Sequence, residues 1–129
     1  MRYLSLEWID ALNLAVAASD AMRRAAADQN IGVTQVVTGT PDGDVSYHLV
    51  VADGVARFGA GPADSEDVRM EQDWDTAVGI ALGTTNLEAA LFDGRLRFSG
   101  DPEKLMASRD VFAALNAIFD DVRTRTTYE

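Results

Sequence analysis

Residues 73–101 read DWDTAVGIALGTTNLEAALFDGRLRFSGD. Local chemistry marks nearly every start and stop in this stretch. Asp73 is a helix-capping residue, and the apolar positions Ala77, Val78, Ile80, Ala81 and Leu82 predict a helix over 74–82. Gly83 supplies the left-handed backbone on which such helices end. Thr85-Asn86-Leu87-Glu88 has the spacing of a reciprocal cap, in which the Thr85 hydroxyl binds the N–H three residues on and Glu88 reaches back. A second short helix is expected over 86–92, with Leu87, Ala90 and Leu91 on one side and Asp93-Gly94 as its end. Residues 95–99 alternate as a half-buried strand does. Asp101-Pro102-Glu103 then opens a long C-terminal helix with a cap, a pre-set φ and a favourable first-turn charge.

Upstream, residues 33–38 are β-branched at five positions and predict a strand. Thr40-Pro41-Asp42-Gly43 turns the chain into a second strand over 45–52. Asp53-Gly54 is a two-residue hairpin signal leading to a third over 55–60. Residues 61–66 form a polar surface loop, and 68–72 a fourth strand. Ahead of the sheet, Ser5 caps a helix expected to run to about residue 28, with Ile9, Leu12, Val16 and Met22 at helical spacing. Behind it, residues 120–129 lose apolar spacing and are expected to fray.

Alternation assigns the faces. Val45, Tyr47, Leu49 and Val51 share one side of the second strand, Val68 and Met70 one side of the fourth, and Leu96 and Phe98 one side of the fifth. The opposite side collects Arg69, Arg95, Arg97, and with them Arg57 and His48. Arg95 and Arg97 are therefore expected to be exposed. The fold class is α+β: a five-stranded, mostly antiparallel sheet with helices packed on one face, in a single domain over 1–129.

The ordered parts also carry a likeness. The paired strands and turn GDVSYHLVVADG (43–54), the strand DVRMEQDW (67–74) running into a helix, and the G-x-L-x-x-S-G-D run at 94–101 together resemble the sterol-transfer domain of the sterol carrier protein type-two family, as a stand-alone bacterial-type member. The resemblance covers roughly residues 33–119. It rests on fold-making residues and contains no catalytic signature. It implies a sterol-carrier-like fold with an apolar tunnel between sheet and helices.

Composition narrows the function. The 129 residues are 47% hydrophobic and 25% charged, as in an ordinary globular protein. Zero cysteines remove disulfides and thiolate chemistry. With 21 acids against 11 bases, the formal charge is −10. That charge opposes binding to nucleic acid and limits membrane contact to a transient one. No signal-peptide core stands at the N-terminus, so the expected compartment is the cytoplasm. His48, the one histidine, has no orienting acid or nucleophile indicated beside it. The acid pairs Asp73/Asp75, Asp42/Asp44 and Glu66/Asp67 belong to caps and turns rather than metal loops. No enzyme activity, cofactor or metal is expected.

What remains is the apolar side of the helices. Leu105, Phe112, Leu115 and Phe119 form a stripe broadened by Met106, Val111 and Ile118. Periodicity alone leaves two readings open, a helix buried on two sides and a helix lining a cavity. The family resemblance favours the second and makes Val78, Leu82, Leu87, Leu91, Phe92, Phe112, Leu115 and Phe119 the candidate ligand-binding walls. The function expected is non-enzymatic binding and carriage of a sterol, fatty acid or related lipid. The alternative is a homodimeric or enzyme-associated interaction module with a closed cavity.

Overall fold

The computed structural model describes every residue except Asn86 and Glu129, with Leu87, Glu88, Leu91, Phe112 and Asn116 described by their backbones. The elements run α1 (Leu6–Ala17), α2 (Asp20–Ala26), β1 (Ile31–Thr40), β2 (Gly43–Ala52), β3 (Val55–Ala60), β4 (Val68–Asp73), α3 (Trp74–Leu82), α4 (Leu87–Phe92), β5 (Leu96–Gly100), α5 (Pro102–Ala107) and α6 (Arg109–Arg123). The five strands lie in the order β3-β2-β1-β4-β5. Every neighbouring pair is antiparallel except β1 and β4, which run parallel. The fold is α+β, as the sequence leads one to expect.

The parallel pair imposes a crossing. The chain leaves β3 at one edge and must pass over β2 and β1 to start β4 on the far side. Residues 61–67 make that passage on the outer face and are tied down along it. The Gly61 N–H donates to the Ser46 carbonyl at 2.9 Å, and the Ala63 N–H donates to Thr34 Oγ1 at 3.0 Å. Asp67 then exchanges with Gly32: its own N–H donates to the Gly32 carbonyl, and its carboxylate accepts the Gly32 N–H, both at 2.8 Å. Gly32 is required here by space, since a Cβ would run into the Ser65 carbonyl. Under this strap Thr34 is fully buried.

The inner face carries the core. Ile31, Val33 and Val37 of β1, Tyr47, Leu49 and Val51 of β2, and Phe58 of β3 pack against Trp8, Leu12 and Val16 of α1 and Val111, Leu115 and Ile118 of α6. The edge of β3 is closed by Asn13, whose side-chain amide accepts from the Phe58 N–H at 2.8 Å and donates to its carbonyl at 3.0 Å. Such pairing satisfies the edge strand's backbone at Phe58.

The cap signals act as the residue types require. Asp73 accepts from the Thr76 N–H at 2.8 Å to start α3. Gly83 ends that helix with φ 80° and ψ 10°. Asp101 caps α5, with Pro102 in its first turn. The reciprocal cap expected at Thr85–Glu88 depends on the Glu88 side chain, which lies outside those described. On the outer face Arg95 and Arg97 are exposed, and pair with Asp93 at 3.0 Å and Glu71 at 2.8 Å. Exposed pairs of this kind contribute little to stability.

Three expectations need correction. The N-terminal helix does not run unbroken to residue 28. Ser19 leaves the helical conformation and accepts from the Met22 N–H at 3.1 Å, starting a separate helix. The C-terminal helix likewise divides at Ser108, which is buried and has φ −96° and ψ 12°. Residues 120–128 do not fray. Val122 is buried on α6, and Thr127 forms a parallel bridge with Arg2. The Tyr3 N–H donates to the Thr127 carbonyl at 2.9 Å, and the Thr127 N–H to the Met1 carbonyl at 2.7 Å.

Asp67 couples the strap to the C-terminal half. Its carboxyl is held below the usual carboxylate range, first by the Gly32 N–H and then, against the opposing cost of burial, by Lys104 at 3.1 Å. A group with a depressed folded pKa stabilises the fold above its unfolded value, about 3.9, and that contribution is lost as pH falls through the folded value. Asp67→Asn should therefore melt below wild type at neutral pH. The gap should close as the pH is taken down through and below about 4, read by thermal unfolding across that range.

Candidate functional site

Between the inner face of the sheet and the helices lies a cavity of about 600 Å³. That volume is within the roughly 300–1,000 Å³ of small-molecule sites. Its floor takes residues from all five strands, among them Val33, Leu49, Phe58, Met70 and Phe98. The inward alternation of each strand puts them there. The roof is built by Ala77, Ile80 and Ala81 of α3, Leu105 and Met106 of α5, and Leu115 and Phe119 of α6. The two alanines are small enough to leave the space open beneath α3.

One wall is aromatic. Trp8 stands edge-on to Tyr3 (centroids 4.9 Å) and to Tyr47 (5.3 Å), and lies parallel to Phe119 at 6.4 Å. Phe119 in turn meets Phe58 at 6.3 Å. These edge and stacked pairs give a rigid wall. Burial pushes the Tyr47 phenol well above its ordinary pKa. The Tyr3 phenol is raised too, first by burial and then by the neighbouring Tyr47 and Tyr128. Both stay neutral at physiological pH. The charged residues among the described lining are Arg109 and Asp120, both exposed.

Of the eight wall residues expected from the sequence, Leu115 and Phe119 line this cavity. The side chains of Leu87, Leu91 and Phe112 lie outside those described. Val78 is half-buried and Leu82 and Phe92 are exposed, and none of the three is on the wall. The reason is helical phase. Positions 77, 80 and 81 turn toward the sheet, which carries 78 and 82 round the side of α3. Phe92 ends α4, the helix that rides on β5, and is 92% exposed.

Sequence reasoning missed the floor as a wall, because inward strand residues read equally well as closed core. It also missed Tyr3 and Trp8, which precede the likeness altogether. Gln35 and Gln72 had a visible signal: both occupy inward positions on otherwise apolar strand faces. His48 stands on the outer face, where Nδ1 lies 2.9 Å from the Gly61 carbonyl and the ring packs against Gly59. Among the described residues no cluster of three or more histidines and acids could hold a metal.

The SCP-2 sterol transfer family model matches residues 12–113. The chain belongs to the SCP-2 sterol transfer family. No curated protein matches it at a significant level. Solved structures share the fold at low identity. A conserved hypothetical protein of Thermus thermophilus, for which a sterol carrier role was suggested, is 22% identical, with 95% of this chain and 90% of that one covered and a TM-score of 0.75. A sterol carrier protein 2 crystal structure is also 22% identical, with 95% and 98% covered and a TM-score of 0.73. A palmitated sterol carrier protein 2-like 2 from Aedes aegypti is 20% identical, with 89% and 94% covered and a TM-score of 0.60.

Leu115 is buried yet has one side on the cavity. Truncating a leucine packed on all sides costs about 2–5 kcal/mol, most where the void is largest. Leu115→Ala merely enlarges an existing space, so its loss in denaturant unfolding should fall near the bottom of that range.

Proposed function

We propose that this SCP-2 family member binds a hydrophobic small molecule in the cavity between sheet and helices and carries it without performing chemistry on it. The observation that carries this reading is the cavity itself: a space of about 600 Å³ whose floor and roof are overwhelmingly apolar or aromatic. Family membership and a palmitated relative of the same fold support it. His48 lies across the sheet from the cavity, which leaves no general base of that type inside.

The energetics suit a carrier. Each methylene removed from water contributes about 0.8 kcal/mol, and lost translational and rotational freedom offsets much of the sum for a whole chain. A ligand already shielded in a membrane gains less on transfer, so exchange between the two phases stays easy. No helix among the described residues is long and apolar enough to cross a membrane.

Ala81 allows a direct test, since a tryptophan there fills space rather than displacing packed atoms. Delipidated wild type should bind a fluorescent apolar probe. Ala81→Trp should weaken that binding at least about tenfold, equivalent to 1.4 kcal/mol, without lowering the melting temperature. Equal binding by both proteins, or none by wild type, would remove the cavity as the ligand site.

A further inference from the structure

The apolar floor is interrupted at one place. Gln35 on β1 and Gln72 on β4 face inward on adjacent strands, and both line the cavity. Gln72 Nε2 donates to Gln35 Oε1 at 3.4 Å, and Gln35 Nε2 donates to the Met70 sulfur at 3.5 Å. The chain of bonds stops there. Gln72 is 9% exposed, and its Oε1 is buried with no partner. A buried carbonyl without a donor costs free energy, and folded proteins seldom leave one unmatched.

The chemistry of the missing partner follows from the amides. Gln72 Oε1 is an acceptor that calls for a donor, and because it has no surface open to the cavity the amide must turn to meet one there. If both amides turn by half a rotation, Gln35 donates to Gln72 and the Gln72 N–H₂ becomes the unmatched group. A hydroxyl satisfies either arrangement, because it donates and accepts. A carboxylate accepts only, and at this position it would be stripped of water with no cation beside it. The cation of the described lining, Arg109, is exposed to solvent.

We propose that Gln72 and Gln35 form a head-group subsite for a neutral lipid bearing a hydroxyl, bound with that hydroxyl directed inward against the sheet and discriminated from the corresponding carboxylate. This rests on the cavity being the ligand site. Met70 completes the subsite by accepting from Gln35 in the first of the two arrangements.

The test uses three ligands with one chain length, dodecanol, dodecane and dodecanoate, competing with a fluorescent apolar probe on delipidated protein at neutral pH. Wild type should bind dodecanol more tightly than dodecanoate. Gln72→Met and the double variant Gln35→Leu/Gln72→Leu should lose about tenfold, equivalent to 1.4 kcal/mol, of the dodecanol-to-dodecane preference while binding dodecane at least as well as wild type. Gln72→Met should also melt at or above wild type without ligand, because it removes the unmatched carbonyl. An unchanged alcohol-to-alkane ratio in the variants would overturn the subsite and leave the carrier function standing. So would a wild-type preference for dodecanoate, which decides the matter even if a variant fails to fold. A wild type that binds none of the three would overturn both.

Discussion

The parallel pairing of β1 with β4 is the constraint on which the rest of the structure depends. A strand that has already paired with β2 on one side can take β4 only on the other, so the chain must cross the sheet between β3 and β4. It crosses on the outer face, held by Thr34, Gly32 and Asp67, and that strap occupies the face the helices leave free. The helices are thereby confined to the inner face. Asp73 sharpens the effect, because it is at once the last residue of β4 and the cap of α3. No linker separates strand from helix, so α3 lies directly over the floor it faces.

The cavity follows from what that arrangement places in the middle. The α1 and α6 packing is dense, with Trp8, Leu12, Val16, Val111 and Ile118 all buried. Over β1 and β4, α3 instead lines the cavity with the small side chains of Ala77 and Ala81. The rings of Trp8, Tyr47, Phe58 and Phe119 brace one another, edge to face at Trp8–Tyr47 and Phe58–Phe119 and stacked at Trp8–Phe119. Interiors normally close to crystal-like density. Here rigid rings and small helix residues border a region that stays open.

Much of this was legible in the sequence where cause and effect are neighbours. Asp73, Gly83, Asp101-Pro102 and the turn at Asp53-Gly54 each act on backbone within a few residues, and their elements stand where their chemistry puts them. The strand faces were legible too, since alternation needs only the correct register, and Arg95 and Arg97 confirm it by their exposure. Ser19 and Ser108 were not, because a serine in an apolar stripe has the same appearance on a helix surface as at a break. The pairing of Arg2 with Thr127 joins opposite ends of the chain and leaves no local trace. For the site, Leu115 and Phe119, wall candidates through the family resemblance, do line the cavity, but helical period could not fix the phase of α3, where a broad apolar stripe admits Val78 and Leu82 as readily as Ala77 and Ala81. The two inward glutamines were visible only as exceptions to alternation, and their meaning required knowing which groups they meet.

The central claim is that the space between sheet and helices is where an apolar ligand resides. The most direct measurement is a methyl-resolved NMR titration of the delipidated protein with a saturated lipid probe. Met70, Leu96, Leu105 and Leu115 line the cavity, whereas Leu6, Leu14 and Val55 are exposed and lie off it. The account requires saturable shifts at the first four methyl-bearing residues and none at the other three. Shifts confined to Leu6, Leu14 and Val55, or no saturable shifts at all, would contradict it.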